Sequence, residues 1–405
     1  MTAPEWPITK LGAGISVKHG FAFKGEFFHD SGDLIVLTPG NFFEAGGFKL
    51  KSKEKFYDGP VPEGYLLRRG DVVVAMTEQS KGLLGSTATI PADETFLHNQ
   101  RLGLLQVTDP GLLDLRYCYH LLNSPDARNQ IQATATGSKV RHTAPERIQS
   151  IRVALPDLEY QRKVAGALDS VESLIENNRR RIEILEEKAR LIYREWFVHF
   201  RFPGHEDVEL VDSNLGPIPD GWKVRPLSAV LELAYGKALK ADDRRGGDVA
   251  VYGSGGIVGW HDEALVDGPG IVVGRKGNVG AVYWSDVDFY PIDTTYFVKS
   301  EMPLSFVYHQ LQTLEFIDSH AAVPGLSRDQ AYSLRVVVPA RGALASFDDT
   351  VSPMYELRRN LIAQNDVLIN ARDLLLPRLI SGELDVSDLD LDLDLDLDLD
   401  LEPVA

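Results

Sequence analysis

The sequence predicts an α+β fold: two mixed α/β units related by an internal repeat, each leading into a long helix that can pair with the other in a coiled coil. Three observations carry this. The first is a double echo. SIRVALP (150–156) returns as SLRVVVP (333–339), 183 positions later, so that Arg152, Val153 and Pro156 meet Arg335, Val336 and Pro339. Trp6, Leu11, Gly20, Ala22 and Lys24 return as Trp222, Leu227, Gly236, Ala238 and Lys240, 216 positions later. Order and spacing hold at both ends, as a duplicated unit requires, and the second copy is 33 residues shorter. The second observation is a set of short β-branched runs between the echoes. The third is a heptad pattern after each echo.

In the first unit, GDVVVAM (70–76) and RLGLLQV (101–107) read as strands bounded by Gly, Pro and Asp. LRYCYHLLNS (115–124) reads as a short helix ahead of the echo strand. In RVALPDLEYQRKV (152–164) the strand stops at Pro156 and residues 157–160 lead into a helix. There Leu168, Val171, Ile175, Asn178, Ile182, Leu185, Ala189, Ile192 and Trp196 alternate steps of three and four, an a/d seam over four heptads. PGHEDVELVDSNLGPIPDGW (203–222) reads as a linker. In the second unit, GIVVGR (270–275) and TYFVK (295–299) are strands, VYGSGGIVGW (251–260) is a Gly-rich loop, and FVYHQLQTLEF (306–316) is a short helix. Met354, Leu357, Leu361, Gln364, Leu368, Ala371 and Leu375 form the second seam, up to Pro377. Polar Asn178 and Gln364 lie in the seams, where such residues fix register. Each helix could instead pack on its own unit, but a globular face is wider than a strict a/d stripe. The Leu-Asp repeat after Ser387 would place every Asp on one face of a strand, so it reads as a solvated, disordered tail.

The bulk numbers bound the function. A length of 405 residues allows two to four domains, and 44% hydrophobic with 25% charged residues is the balance of a soluble globular protein. No apolar run approaches the ~18 residues of a membrane span, and MTAPEWPITKLGAG lacks the charged and apolar regions of a signal peptide. The single cysteine, Cys118, excludes an intrachain disulfide and CxxC zinc patterns. A cytoplasmic location is expected. The net charge is -17; the tail after Ser387 holds seven Asp and one Glu, and without it 51 acids still face 42 Lys and Arg. A nucleic-acid role must therefore rest on a local face or on a partner's cationic surface.

Catalytic signatures are missing. HExxH, GxxxxGK[ST], GxSxG and the adenine-methyltransferase tetrapeptide are absent, and Gly274, Gly277 and Gly280 form a GxxGxxG that is not the dinucleotide fingerprint. Pro156–Asp157 with Glu186, Glu187 and Lys188 matches a PD…ExK nuclease pattern formally, but those acids fall on the solvent side of the first long helix. No catalytic or metal-ligating residue is assigned. Polar, Gly-rich loops remain. The first unit offers Thr77, Gln79, Ser80, Lys81, Asn99, Gln100, Arg101, Lys139, Arg141 and His142. The second offers Ser254, Arg275, Lys276, Asn278, Thr294, Thr295, Ser327 and Arg328. Arg and Lys suit guanine, Asn and Gln suit adenine, and Gly and Ser admit a phosphate. A single such loop is usually only solvated; their recurrence at comparable places in both units supports DNA contact.

Four segments carry a resemblance: PDLEYQRKV (156–164), ARLIYREWF (189–197), PDGWKVRPL (219–227) and LLLPRLISGEL (374–384). Together they resemble the specificity (S) subunit of type I restriction–modification systems, over nearly the whole chain to about Leu384. The second helix departs from the pattern, with ARGALASF (340–347) where the first has its Leu-x-x-Gln start. The resemblance implies a first target-recognition domain (1–156), a first conserved spacer helix (157–201), a linker and second target-recognition domain (202–339), a second spacer helix (340–384) and the acidic tail (385–405). It implies that the helices form an antiparallel coiled coil and that each domain reads one half of a bipartite DNA target, with no catalysis in this chain. The seam 168–196 would span roughly 43 Å at about 1.5 Å per residue, near the ~34–36 Å turn of duplex DNA. Implied partners are double-stranded DNA, two methyltransferase (M) subunits and, where present, two restriction (R) subunits; S-adenosylmethionine, ATP and Mg would sit on those partners, and no cofactor on this chain. Leu158 and Gln161, at the first joint, are the candidate partner-binding residues. The competing readings are an enzyme (a nuclease or fused methyltransferase) and a scaffold or regulatory module that binds no DNA.

Overall fold

The computed structural model describes residues 6–51, 53–78, 82–316 and 325–386. It divides into two compact units, Met1–Glu176 with Asp366–Ala405, and Asn177–Asn365. In the first unit, Ile15–His19, Leu102–Val107, Val72–Ala75 and Thr87–Thr89 form an antiparallel sheet in that order. Val72–Ala75 is buried along its whole length, as its unbroken apolar run requires. A second sheet pairs Phe28–His29, Phe56–Tyr57, Ile35–Val36 and Phe96–Leu97, the last two in parallel. Ile8–Lys10 pairs with the echo strand Arg152–Ala154. Helix Leu115–Asn123 starts at Asp114, whose carboxylate accepts from the amides of Arg116 and Tyr117.

The second unit repeats this frame. Glu232–Tyr235, Thr295–Lys299, Gly270–Gly274 and Val282–Ser285 form the sheet, with Gly256–His261, Val249–Gly253 and Phe289–Pro291 beside it. The two echoes are strands paired with one another. Ile8 faces Ala154 in one unit and Val224 faces Val337 in the other, which reproduces both sequence offsets, 216 and 183. Inside the sheets the offset falls in steps: Val73 faces Leu104 and Val272 faces Phe297, offsets of 199 and 193. The shortening of the second copy therefore comes out of the loops and leaves the sheet register intact.

Sterics explain why particular residues echo. A Cβ on Gly20 would lie 2.0 Å from the Asn99 carbonyl oxygen, and one on Gly236 would lie 2.2 Å from that of Ile292. Leu11 and Leu227 are fully buried, and their amides donate to the Ile151 and Leu334 carbonyls at 3.0 and 2.8 Å.

The long helices are Leu158–Tyr193, extended by a wide turn at Arg194–Val198, and Arg341–Ile380. Within each unit they run antiparallel. In the first, the Tyr160 hydroxyl lies 3.1 and 2.9 Å from the carbonyl oxygens of Leu379 and Leu384, and Glu172 meets Arg372. In the second, Asn178 Nδ2 donates to Asn365 Oδ1 at 3.0 Å, Glu186 pairs with Arg358, and Tyr193 shares a core with Phe347 and Val351. The first seam follows the expected positions, with Leu168, Ile175, Asn178 and Ala189 buried. The second does not. Leu357, Gln364 and Leu375 are exposed, while Val351, Asn365, Arg372 and Leu376 are buried. Asn365, not Gln364, partners Asn178. The cause is that Arg358 and Arg372 occupy inward positions, laying their stems against apolar surface while their heads reach carboxylates. The helix also continues through Pro377 to Ile380. The 203–222 stretch is more than a linker: Leu210–Val211 pairs with Ile218–Pro219, and Ile218 and Trp222 enter the second unit's core. The repeat after Ser387 lies outside the described residues.

Candidate nucleic-acid interface

In the second unit, loops far apart in sequence meet at one end of the sheet. Tyr235 closes its strand with a half-exposed ring. The guanidinium carbons of Arg275 and Arg328 each lie 5.1 Å from that ring's centroid. Arg275 also lies 5.8 Å from the Tyr296 ring, and Arg328 lies 5.9 Å from that of Tyr332. Backbone bonds fix the arrangement. The amides of Arg275 and Lys276 donate to the Thr294 carbonyl at 2.9 and 3.1 Å, and the Leu326 amide donates to the Arg275 carbonyl at 2.7 Å. Arg275 Nη1 donates to the Asp293 carbonyl at 3.0 Å. Burial first, and Tyr235 beside it, raise the Tyr296 hydroxyl above the usual phenol range, so it stays a donor, 3.1 Å from the Leu326 carbonyl. Among the described residues, Arg275, Lys276 and Arg328 form no ion pair with a carboxylate. Ser254 belongs to the same end: its Oγ lies 3.1 Å from where a Cβ on Gly277 would sit, beside Asn278. Gly277 has φ +84°, and the GRKGN segment is a tight turn between strands rather than the start of a helix, so it cannot cradle a dinucleotide. Thr294 and Ser327 are half-buried at the rim. Thr295 does not belong there: it is fully buried and its hydroxyl donates to the Ile292 carbonyl at 2.8 Å.

In the first unit, Thr77–Glu78 pairs with Arg141–His142, and the Met76 amide donates to the Arg101 carbonyl. This gathers Thr77, Asn99, Gln100, Arg101 and His142, with Lys139 exposed in the adjoining turn. Asn99 Oδ1 accepts from the Arg101 amide at 3.1 Å, which orients the exposed Gln100–Arg101 step. Gln79, Ser80 and Lys81 lie outside the described residues. Arg141 has a different role from the expected base contact. Its Nη1 donates to Glu78 Oε1 at 2.9 Å and its Nη2 to the Gln132 carbonyl at 2.7 Å. The other Glu78 oxygen accepts from the amides of Gly82 and Leu84 at 3.1 and 2.9 Å. Glu78 is buried, so Arg141 neutralises an interior charge.

The expected partner residues divide. Leu158 is half-buried at the first position of its helix. Gln161 is fully buried and cannot present its side chain to another subunit. Its Oε1 accepts from the Asp114 amide at 2.9 Å, and its Nε2 donates to the carbonyls of Leu112 and Pro156 at 3.0 and 2.9 Å. It holds the joint together. The formal nuclease residues are likewise occupied: Asp157 Oδ1 accepts from the Tyr160 amide, Glu186 pairs with Arg358, and Glu187 pairs with Arg190. No group of three His, Cys, Asp or Glu able to hold a metal ion occurs among the described residues. No helix there is long and apolar enough to cross a membrane.

Sequence reasoning missed Tyr235, Tyr296 and Tyr332, because it searched polar loops and passed over aromatic residues at strand and helix ends. The available signal was that Tyr235 directly precedes the echo glycine Gly236.

Residues 5–187 match the family model described as the type I restriction modification DNA specificity domain. This match covers somewhat under half of the chain, most of it in the first unit. The type I restriction enzyme MjaIX specificity subunit of Methanocaldococcus jannaschii is 25% identical over 307 residues, covering 67% of this chain and 70% of that protein. The EcoBI specificity subunit of Escherichia coli is 24% identical over 256 residues, covering 60% of this chain and about half, 51%, of the relative. A solved S subunit of a type I restriction-modification system from M. genitalium superposes with a TM-score of 0.57 at 17% identity, covering 92% of this chain and 96% of that one. The specificity-subunit fold thus extends past the matched domain into the second half, where the repeated strand register continues it.

Proposed function

We propose that this chain is the DNA sequence-recognition subunit of a type I restriction–modification complex. Each unit reads one half of a bipartite target, and the paired long helices set the spacing. The observation that carries this reading is the cluster of Arg275, Lys276 and Arg328 at the sheet end, none of them ion-paired among the described residues, in a frame whose first copy gathers Arg101, His142 and Lys139 at the same end. Cations kept unneutralised in a chain of 59 acidic and 42 basic residues suit an electron-rich ligand. The chain supplies recognition. Methyltransferase subunits carrying S-adenosylmethionine act on the bound DNA, and restriction subunits with ATP and Mg join where present. Because the chain is acidic overall, tight binding needs those partners to contact phosphate.

Methylome sequencing of a host with and without the gene tests this. Loss of one bipartite adenine motif is expected. An unchanged methylome, or nanomolar sequence-specific binding by the purified chain alone, overturns the reading. Replacing Arg101, Lys139, Arg275 and Lys276 with Glu in the assembled complex should abolish specific binding.

A further inference from the structure

We propose that the half-site read by the second unit contains guanine, recognised in the major groove by Arg275 and Arg328, with Tyr235 as the residue that positions both guanidiniums. This rests on the DNA-recognition reading above and specifies the chemistry of its second half-site. The placement is built from three separate element ends. Tyr235 ends the edge strand Glu232–Tyr235, Arg275 follows strand Gly270–Gly274, and Arg328 opens helix Arg328–Ser333. Two like charges beside one ring repel each other. The ring's negative face offsets that repulsion in part, by about 0.5–1 kcal/mol per cation at exposed sites. With no carboxylate neutralising either one among the described residues, the pair is held ready for an acceptor supplied from outside.

Guanine and phosphate both offer acceptor oxygens. The geometry favours guanine. A phosphate contact needs a charge and little orientation, for which a lysine on a flexible stem suffices. Here each guanidinium is placed over the Tyr235 ring, and the rotation of Arg275 is set further by its bond to the Asp293 carbonyl. Fixed, planar donor pairs match the O6 and N7 acceptors of guanine. The first unit cannot read in this way. By the sheet register, His19 stands where Tyr235 is and Gly103 stands where Tyr296 is. Met76 takes the place of Arg275, with the same amide bond to the equivalent carbonyl. The echo offset places Pro145 opposite Arg328. The prediction therefore concerns one half-site only.

The test uses the full chain assembled with its methyltransferase subunits and S-adenosylmethionine, acting on duplexes with one half-site fixed and the other randomised. The wild type should require at least one G·C pair in the second half-site. Arg275→Ala and Arg328→Ala should each lower discrimination at one G·C position by roughly 5- to 150-fold, the range of a bidentate base contact, with selectivity at the first half-site unchanged. Tyr235→Ala should relax both positions, and Tyr235→Phe should keep them. Arg275→Lys keeps the charge without the fork. It should weaken base selectivity, since lysine offers guanine a mobile point charge in place of a fixed fork, whereas a phosphate contact would survive it. The proposal is overturned by a second half-site without guanine. It is equally overturned by variants that slow methylation evenly across all sequences while the salt slope falls by about one, the signature of a phosphate contact. A wild-type complex with no bipartite preference would instead sink the underlying reading.

Discussion

The two joints at which a strand gives way to a long helix have the same backbone and different chemistry. In the first unit, Gln161 ties the helix to the Asp114 amide and to the carbonyls of Leu112 and Pro156. The echo offset places Leu344 at the same point in the second helix. The residue that caps the short helix there, in the role of Asp114, is Pro303, which has no amide hydrogen to donate. Removing the acceptor in the second copy leaves no orphaned donor, because the donor is gone too. Gln310 serves the second joint instead, its Nε2 donating to the Val337 carbonyl at 3.0 Å. At this joint the two copies keep strand register, and the acceptor and its amide donor are lost together, since half of such a pair costs more than none.

The same logic ranks the ways to break one copy and spare the other. The largest effect belongs to Arg141→Ala. Glu78 would remain buried with two amide donors and only the more distant Arg128 guanidinium for a counter-charge, at a cost of about 3 kcal/mol to the first unit. Continuing the strand offset, the second unit has Gly277 at the equivalent of Glu78, so it has no such pair to lose. Cys118 is buried in the first unit and is the chain's single cysteine. Its labelling rate under mild denaturant reports that unit alone and should rise by about two orders of magnitude or more. An unchanged rate would mean that Arg141 is available for DNA after all.

Acid should affect both copies alike. Burial lowers the pKa of His98, in the first unit, and of His309, in the second, to about 4. The folded pKa lies below the unfolded value of about 6.5, so the fold favours the neutral ring. This stability is complete above about pH 6.5 and is lost as pH falls towards 4, amounting to about 2 kcal/mol per histidine at pH 5. Calorimetry at pH 7 and pH 5 should show both units melting earlier. His309→Gln should flatten the response of the second unit only. Equal pH slopes in wild type and variant would rule out the titration of His309 as the cause.

How far these features are legible in the sequence depends on what creates them. The repeat shows because Gly20 and Gly236, and Leu11 and Leu227, are fixed by local steric demands that admit few residue types. The first seam shows because its inward residues are apolar or Asn. The second is hidden because Arg358 and Arg372 turn inward, and a heptad search counts a charged residue as outward. The Tyr235 cluster is hidden for another reason. Its residues, Tyr235, Arg275, Tyr296 and Arg328, come together only through a sheet order in which spatial neighbours are distant in sequence. Glu78 likewise reads as a loop acid until the Arg141 strand is laid beside it.

The joints can be tested by exchange. Gln161→Leu leaves one buried amide and two carbonyls short of a partner, and should destabilise the first unit by about 2–3 kcal/mol. Leu344→Gln in the second helix should give no matching gain, because Pro303 cannot donate to it. Cys118 labelling follows the first variant. Tryptophan fluorescence follows the second, since four of the five tryptophans, Trp196, Trp222, Trp260 and Trp284, lie in the second unit. A clear stabilisation by Leu344→Gln would show that the two joints are not complementary in the way argued.

The smallest effect concerns the polar pair between the helices, which belongs to the second unit. Asn178 and Asn365 are both buried, and Asn178 Nδ2 donates to Asn365 Oδ1. Asn178→Leu alone removes the donor to Asn365 Oδ1 and should cost about 1–2 kcal/mol. Asn178→Leu with Asn365→Leu removes both halves of this hydrogen bond and should recover part of that loss. If the pair were there for stability, the double variant would be the weaker of the two in urea unfolding. If it sets register, the double variant should be the more stable while losing a single spacing. The assembled complex would then methylate targets whose half-sites are separated by more than one length.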